Sequence, residues 1–357
     1  MDSKIIINAR FLTQPITGVQ RYSVEISREL KKIYSENDVI FVAPNNIIHQ
    51  TIAKELNVEI VGTHTGHLWE QIDLPLYLNR MGNPLLLCLA NTAPLFYRNK
   101  ISTIHDVAFK VYPETFSKTF LYFYLCIIPQ IIRKSRHIIT VSEFSKKEIQ
   151  KYYHIEGDNI SVIYNAVSGD FRPSAINSEN INPYFLAVSS VNYRKNFLAV
   201  LKAYELFKKN TNSKYKLLVI GDLSNDNFNK VDISHYINNP DIVFCGRVSD
   251  KELIEYYSNA IAFLYPSLYE GFGIPPIEAQ ACMCPVLCSS IEPLKEVLGK
   301  SALYADPYSI VDIAKKMEMM MNSDYKDELK LLGKENLLRF SWNKSAWKLQ
   351  EILSKFI

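Results

Sequence analysis

A chain of 357 residues exceeds what one hydrophobic core usually organises, so two domains of roughly 150 to 200 residues are expected. Hydrophobic residues at 48% and charged residues at 22% exclude a disordered or fibrous chain, and a formal charge of +3 excludes nucleic acid as an expected partner. The surplus of Lys and Arg is small in both halves and larger before Arg172, which suits an anionic ligand, an anionic membrane face or a solvated surface.

The N-terminus, MDSKIIINAR, runs from a polar start straight into a strand without the pattern of a signal peptide, so the expected location is the cytoplasm. Short runs rich in Ile, Val and Leu then alternate with stretches of helical period, the signature of parallel sheets covered by helices, and the fold class is α/β. In the first half the strand candidates are KIIINAR, DVIFVAP, VEIVG, LLLCLA, ISTIHD, HIITVS and ISVIYNA. In the second half they are YFLAVSS, YKLLVIG, DIVFCG, AIAFLYPS, CPVLCSS and ALYAD. The apolar run Phe120 to Ile128 is too short to span a bilayer, is interrupted by Pro129, and reads as an amphipathic or buried helix. Aromatic residues there adjoin Arg133, Lys134 and Arg136, which raises peripheral contact with a membrane as a hypothesis beside a basic-ended core helix.

Helix starts are locally coded. Ser142 in VSEFSKKEI and Ser249 in VSDKELIEYY are placed to cap, with Glu252 completing a capping box. The polar segment DFRPSAINSENINPYF is the expected linker, giving domains 1–172 and 173–339. The tail FSWNKSAWKLQEILSKFI reads as an amphipathic helix whose Trp342, Trp347, Leu349 and Leu353 need a surface to cover. Six Cys are scattered through apolar runs, including Cys282, Cys284 and Cys288, and read as reduced core thiols rather than a metal site. No metal is expected.

Four segments carry candidate chemistry. YEGFGIPPIEA follows the strand AIAFLYPS and opens a helix, so it sits where ligands of open parallel sheets collect. Gly271 and Gly273 permit close backbone approach, and Glu270 and Glu278 are placed to accept hydrogen bonds from sugar or ribose hydroxyls, with Glu278 expected in the first helical turn. Alone, Glu278 also reads as an ordinary helix-start acid. After the strand YFLAVSS, Arg194 and Lys195 stand where a cationic pair neutralises a diphosphate. Gly18, in RFLTQPITGVQRY, closes a loop before a helix and offers backbone amides to an anion. His105, in STIHDVAF, ends a strand and is either a hydroxyl partner or a structural histidine. H-E-x-x-H, G-x-S-x-G and D-x-D motifs are absent from the sequence, which removes support for metalloprotease, serine hydrolase and metal-dependent transfer chemistry.

In order and spacing, GVQRY, TIHDVAF with YPETFS, ITVSEFSKKEI, VIYNAV, RKN, FCGRVSDKEL, YEGFGIPPIEA, ALYADP and the closing FSW resemble the retaining glycosyltransferases of family four. The resemblance covers nearly the whole chain. It implies a GT-B fold, with two Rossmann-like domains facing across a cleft and the C-terminal helix, 340–357, crossing back to the first domain. It implies a nucleotide-sugar donor held by the second domain, used as substrate with no cofactor, and an acceptor on the first. Glu270 would contact the transferred sugar, Glu278 the ribose, and Arg194 with Lys195 the diphosphate. The amides of Gly271, Phe272 and Gly273 would hold the donor sugar, while Gly246, Arg247 and Val248 would border the base. His105 would lie beside the reacting sugar. Many relatives carry two adjacent glycines in the first loop, where this chain has Thr17 and Gly18. The resemblance further points to a hexose, with GDP-mannose favoured, and to a lipid-linked oligosaccharide acceptor at the inner face of a bacterial cell membrane. A sugar-nucleotide epimerase on the same scaffold and a non-catalytic component of a polysaccharide assembly complex are the alternatives.

Overall fold

Each of the thirteen apolar runs forms a strand in the computed structural model, which describes residues 4–174, 183–188, 193–221 and 233–357. Residues 175–182 of the expected linker and 189–192 of the loop before Arg194 lie outside them. The first seven strands are β1 (Ile5–Asn8), β2 (Val39–Ala43), β3 (Glu59–Ile60), β4 (Leu85–Cys88), β5 (Lys100–Thr103), β6 (His137–Thr140) and β7 (Ile160–Val162). They pair in parallel in the order β3-β2-β1-β4-β5-β6-β7. The remaining six are β8 (Tyr184–Val188), β9 (Lys216–Ile220), β10 (Ile242–Gly246), β11 (Ala262–Tyr265), β12 (Val286–Ser289) and β13 (Leu303–Ala305). These form a second parallel sheet in the order β10-β9-β8-β11-β12-β13. In β1, β4, β6, β11 and β12 every residue is buried, as strands covered on both faces by helices must be.

The chain divides into two compact units, one comprising Met1–Asn165 with Ser341–Ile357 and the other Ala166–Phe340. The division thus precedes residue 172. Phe171 packs on Tyr257 and Ser174 N donates to Ser258 Oγ, so the start of the linker already belongs to the second core. Each unit has its own core: Trp69, Leu86, Ile104 and Ile131 in the first, Phe185, Tyr204, Phe207 and Leu264 in the second. Cys88, Cys282, Cys284 and Cys288 are buried free thiols, whereas Cys126 is exposed and Cys245 partly exposed, so not all six are core thiols as expected.

Local capping follows the sequence. Ser142 Oγ accepts from Ser145 N at 2.9 Å, and Ser249 with Glu252 forms a capping box through Ser249 N to Glu252 Oε2 at 2.8 Å. Two expectations are corrected. Pro129 does not interrupt its helix, which runs from Lys118 to Lys134; the missing N–H forfeits one bond, while Ile127, Ile128, Ile131 and Ile132 bury the stretch on either side of it. In the C-terminal helix Trp342–Leu353, Trp342, Leu349 and Leu353 are buried, but Trp347 is half exposed because it lies off the stripe that the other three define. That stripe packs on the helix Gly18–Ile33 within the first unit, where Trp342 meets Tyr22 edge-on at 6.0 Å.

Truncating the buried stripe should therefore cost far more than truncating the exposed ring. Leu349→Ala is expected to destabilise by about 2–5 kcal/mol and Trp347→Ala by no more than about 0.5 kcal/mol. Unfolding of the intact chain followed by circular dichroism checks this, and equal losses would contradict the assignment.

Candidate functional site in the second unit

In the second sheet the crossover direction reverses between β8 and β11, which are neighbours although β9 and β10 intervene in sequence. A reversal leaves a crevice beyond the carboxyl ends of the two strands, because the connecting helices depart to opposite faces. The turn Tyr193–Lys195 follows β8, and the segment Ser267 to Gly273 follows β11. Leu268 N donates to Arg194 O at 2.8 Å, so the two loops are joined through their backbones.

Side chains complete the union. Lys195 Nζ donates to Glu270 Oε1 at 2.6 Å and to the Tyr265 hydroxyl at 2.8 Å. Arg194 Nη1 donates to Tyr269 O at 3.1 Å and stands 3.8 Å from Glu270 Oε2. Glu270 is 6% exposed. Burial alone would push its carboxyl up, but the charges of Lys195 and Arg194 outweigh that and hold it below the ordinary range. Burial, reinforced by the Glu270 charge, keeps the Tyr265 phenol protonated. Two cations therefore surround one carboxylate, and the cluster carries a formal charge of +1. Such an arrangement favours an anionic ligand while leaving Glu270 a hydrogen-bond acceptor with little basicity.

The backbone around the cluster is held from several sides. Asn196 takes the left-handed conformation at φ 57° and caps the helix Phe197–Thr211, and its Nδ2 donates to Pro307 O at 2.6 Å. Ser289 Oγ, at the end of β12, donates to Ser267 O. Phe272 is buried edge-on against Phe340 at 5.5 Å, so its contribution to a ligand would be its amide, not its ring. Gly273 caps the next helix at φ 95°, a conformation that strains any residue with a side chain, and a Cβ there would also press on Leu294 Cδ2 at 2.7 Å.

That cap starts the helix Ile274–Ala281 ahead of both prolines, which puts Glu278 beyond the first turn, contrary to expectation. Pro275 and Pro276 lack N–H groups, leaving Ile274 and Ile277 as the amide donors of that turn. Glu278 is buried and lies near Tyr257, whose phenol is raised chiefly by burial and further by this carboxylate. An acid buried in the second turn is not explained by the helix dipole. Gly246, at φ 68°, ends β10, and Arg247 and Val248 follow it, two strands away from β8 in the sheet order.

Gly18 and His105 belong to the first unit. Gly18 is the first residue of its helix rather than part of the loop before it, and Gln20 Oε1 accepts from Thr17 N at 3.2 Å, using one of the early amides. His105 is buried; its Nε2 stands 2.9 Å from Leu89 O, and because a carbonyl only accepts, Nε2 carries the proton and Nδ1 the lone pair. Burial lowers its pKa, keeping the ring neutral, and Tyr22 meets it edge-on at 4.9 Å. Sequence reasoning passed over Tyr265 and Asn196. Their position at a strand end and a helix start was the available signal.

The depressed acidity of Glu270 has a measurable consequence. Stability from a lowered native pKa is complete above the ordinary carboxyl value of about 4.3 and is lost as pH falls through the native value. Glu270→Gln should therefore lose thermal stability less steeply than the native chain between about pH 4.5 and pH 3. Melting midpoints across that range check it, and parallel slopes would contradict the assignment.

With this geometry defined, comparison with known proteins becomes specific. Residues 171–336 match the family of glycosyl transferases group 1, and residues 16–171 match glycosyltransferase family 4. The O-antigen chain mannosyltransferase RfbU of Salmonella typhimurium is 30% identical over 320 residues, covering 85% of this chain and 87% of its own. The O-antigen chain mannosyltransferase B of Escherichia coli is 26% identical over 366 aligned positions, covering 95% and 96%. HepE of Anabaena, solved with UDP and glucose, superposes with a TM-score of 0.77 at 16% identity over 99% of each chain, a likeness of fold. From the two family matches, the full-length relatives and the pair of parallel Rossmann-like units, the chain belongs to glycosyltransferase family four and has the GT-B fold.

Proposed function

We propose that this glycosyltransferase moves a hexose from a nucleotide diphosphate sugar, with GDP-mannose favoured, to a lipid-linked oligosaccharide during assembly of a bacterial surface polysaccharide such as O-antigen or capsule. The observation that carries the reading is the pairing of Lys195 and Arg194 with buried Glu270 where the second sheet reverses. Breaking a nucleotide-sugar bond releases a diphosphate, and stabilising that developing charge is the main electrostatic demand of the reaction. Arg194 and Lys195 meet it without a metal. Glu270, low in basicity and already hydrogen-bonded, orients the sugar by accepting from a hydroxyl. Glu278 takes the ribose hydroxyls, the amides of Gly271, Phe272 and Gly273 hold the donor sugar, and Gly246, Arg247 and Val248 border the base. Within the first unit, Gly18 offers a backbone amide and His105 a neutral imidazole as substrate-binding groups.

The sugar retains its anomeric configuration in this proposal. The acceptor attacks the face from which the diphosphate departs, and a donor phosphate oxygen takes its proton. A carboxylate held by two cations is a poor nucleophile, which supports a mechanism with no covalent bond to Glu270. The mannose preference is supported by the names of RfbU and mannosyltransferase B alone.

Peripheral contact of the first unit with the cytoplasmic face of the inner membrane completes the proposal. Among the described residues no helix is long and apolar enough to cross a bilayer. Leu68, Ile72 and Leu76 recur at i, i+4 and i+8 with exposed side chains, and Phe96 is 84% exposed with Lys134 Nζ 5.1 Å above its ring. Exposed apolar side chains, one of them beside a lysine, suit an anionic lipid surface.

Ligand binding, turnover and flotation test these readings. GDP-mannose or another nucleotide sugar, such as UDP-glucose, should raise the melting temperature, and Arg194→Ala or Lys195→Ala should abolish that shift and lower kcat/KM by about 10²–10³-fold. Unchanged binding in both variants, or a glycosyl ester on Glu270 found by mass spectrometry of native protein incubated with donor, would overturn the donor-site assignment. In flotation with vesicles containing anionic lipid, the native chain should rise with the vesicles, less so at high salt and less in Ile72→Asp. Absence of flotation would remove the membrane contact.

A further inference from the structure

The first sheet also reverses, between β1 and β4, and a cavity of about 690 Å³ opens at the carboxyl ends of those strands. Arg10 reaches it from beyond β1 and Asn91 from beyond β4, with Gln14 and Gln20 between. Phe120, Phe123 and Tyr124 of the helix Lys118–Lys134 form an aromatic wall, in which Phe120 stacks on Tyr124 at 4.0 Å and 22°. Among the described residues no carboxylate lines the cavity. Amides, hydroxyls and aromatic faces together suit a polyhydroxylated ring with one apolar face, that is, a saccharide.

What sets the charge of this cavity lies behind it. Glu70 is 1% exposed and accepts from Asn8 Nδ2 at 2.8 Å, from Arg10 Nε at 3.3 Å and from Thr92 Oγ1 at 3.0 Å, all on Oε1. Its Oε2 lies 3.4 Å from His67 Nδ1. Arg10 Nη2 donates to Thr92 Oγ1 at 2.7 Å, so the guanidinium is fixed at two edges. Burial would push the Glu70 carboxyl up, but Arg10 and His67 outweigh it and keep the group ionised. The only full cation among the described lining residues is thus cancelled by a carboxylate buried out of reach of a ligand. Arg10 is left as a directed hydrogen-bond donor whose charge is paired behind the wall, and His67, which also lines the cavity, faces the second oxygen of the same carboxylate.

We infer that Glu70 is the positioning residue that makes Arg10 select hydroxyls instead of anions, so that the sugar this cavity takes against the Phe120–Tyr124 wall is an electrically neutral one. The inference rests on the transferase reading, which requires a second sugar-bearing substrate while the donor residues of the second unit are committed to the nucleotide sugar. The lipid carrier and its phosphates lie beyond this cavity in the present assignment; the sugar is what it reads.

The probes are mannotriose and a uronic-acid trisaccharide, titrated against the full chain by calorimetry, with GDP-mannose and UDP-glucose as controls for the second unit. Native protein should bind mannotriose and prefer it to the uronate. Phe120→Ala and Gln14→Ala, at partly exposed positions, should weaken mannotriose about tenfold and leave nucleotide-sugar affinity unchanged. Glu70→Gln exposes the Arg10 charge to the ligand, so the uronate-to-mannotriose affinity ratio should rise about tenfold or more. A merely structural lesion would lower both affinities together, and the two wall variants keep the test decisive if Glu70→Gln fails to fold. Native protein that ignores mannotriose or prefers the uronate overturns the inference, as does unaltered mannotriose binding in both wall variants. If nucleotide sugar binds and mannotriose does not, the cavity assignment alone fails. If mannotriose binds through these residues and no nucleotide sugar is bound or turned over, the transferase reading fails instead.

Discussion

Parallel strands cannot be joined by a tight turn. Each connection must leave the sheet, cross a face and return in the right-handed sense, and a sheet that reverses its crossovers once acquires a crevice at the reversal. Both sheets here reverse once, between β1 and β4 and between β8 and β11. The candidate donor cluster lies at the second reversal and the aromatic cavity at the first, so the placement of function follows from how the strands had to be connected.

A second constraint repeats in each unit. Glu70 and Glu270 are nearly excluded from solvent, and neither could remain ionised without cations held against it. The net charges differ because the numbers of partners differ. Glu270 has Lys195 at 2.6 Å and Arg194 at 3.8 Å, leaving an excess positive charge suited to a diphosphate. Glu70 has one full cation, Arg10, at 3.3 Å, leaving a wall suited to hydroxyls. A glycosyltransferase handles one substrate that carries formal charge at its reacting end and one whose reacting group is an alcohol, and the two buried carboxylates match that contrast.

Much of the fold was legible because burial on both faces of a parallel strand demands an unbroken apolar run, and runs such as KIIINAR, LLLCLA and AIAFLYPS meet that demand at the length of a strand. Caps at Ser142 and Ser249 were legible for a similar reason, since a hydroxyl ahead of a helix satisfies amides a few residues away. Helix positions were less secure. Glu278 moved out of the first turn because Gly273 could adopt φ 95° and start the helix early, and Pro129 was accommodated because buried isoleucines flank it. In the tail, composition alone did not separate Trp342, which is buried, from Trp347, which is half exposed.

By itself the sequence determined the strands, the alternation with helices and the local coding of helix ends, because these depend on residues within a few positions of one another. It also marked Arg194, Lys195 and Glu270, since each lies between a strand and the helix that follows it. Only the tertiary structure decided that Lys195 reaches both Glu270 and Tyr265, residues 75 and 70 positions away in sequence, because that contact exists only once β8 and β11 are neighbours. The same holds for Glu70, which sits in an unremarked stretch, LWEQID, and acquires its role from Asn8, Arg10 and Thr92. Whether a carboxylate is a solvated surface charge or a buried counter-ion depends on what the fold brings against it, and no local pattern of residues carries that information.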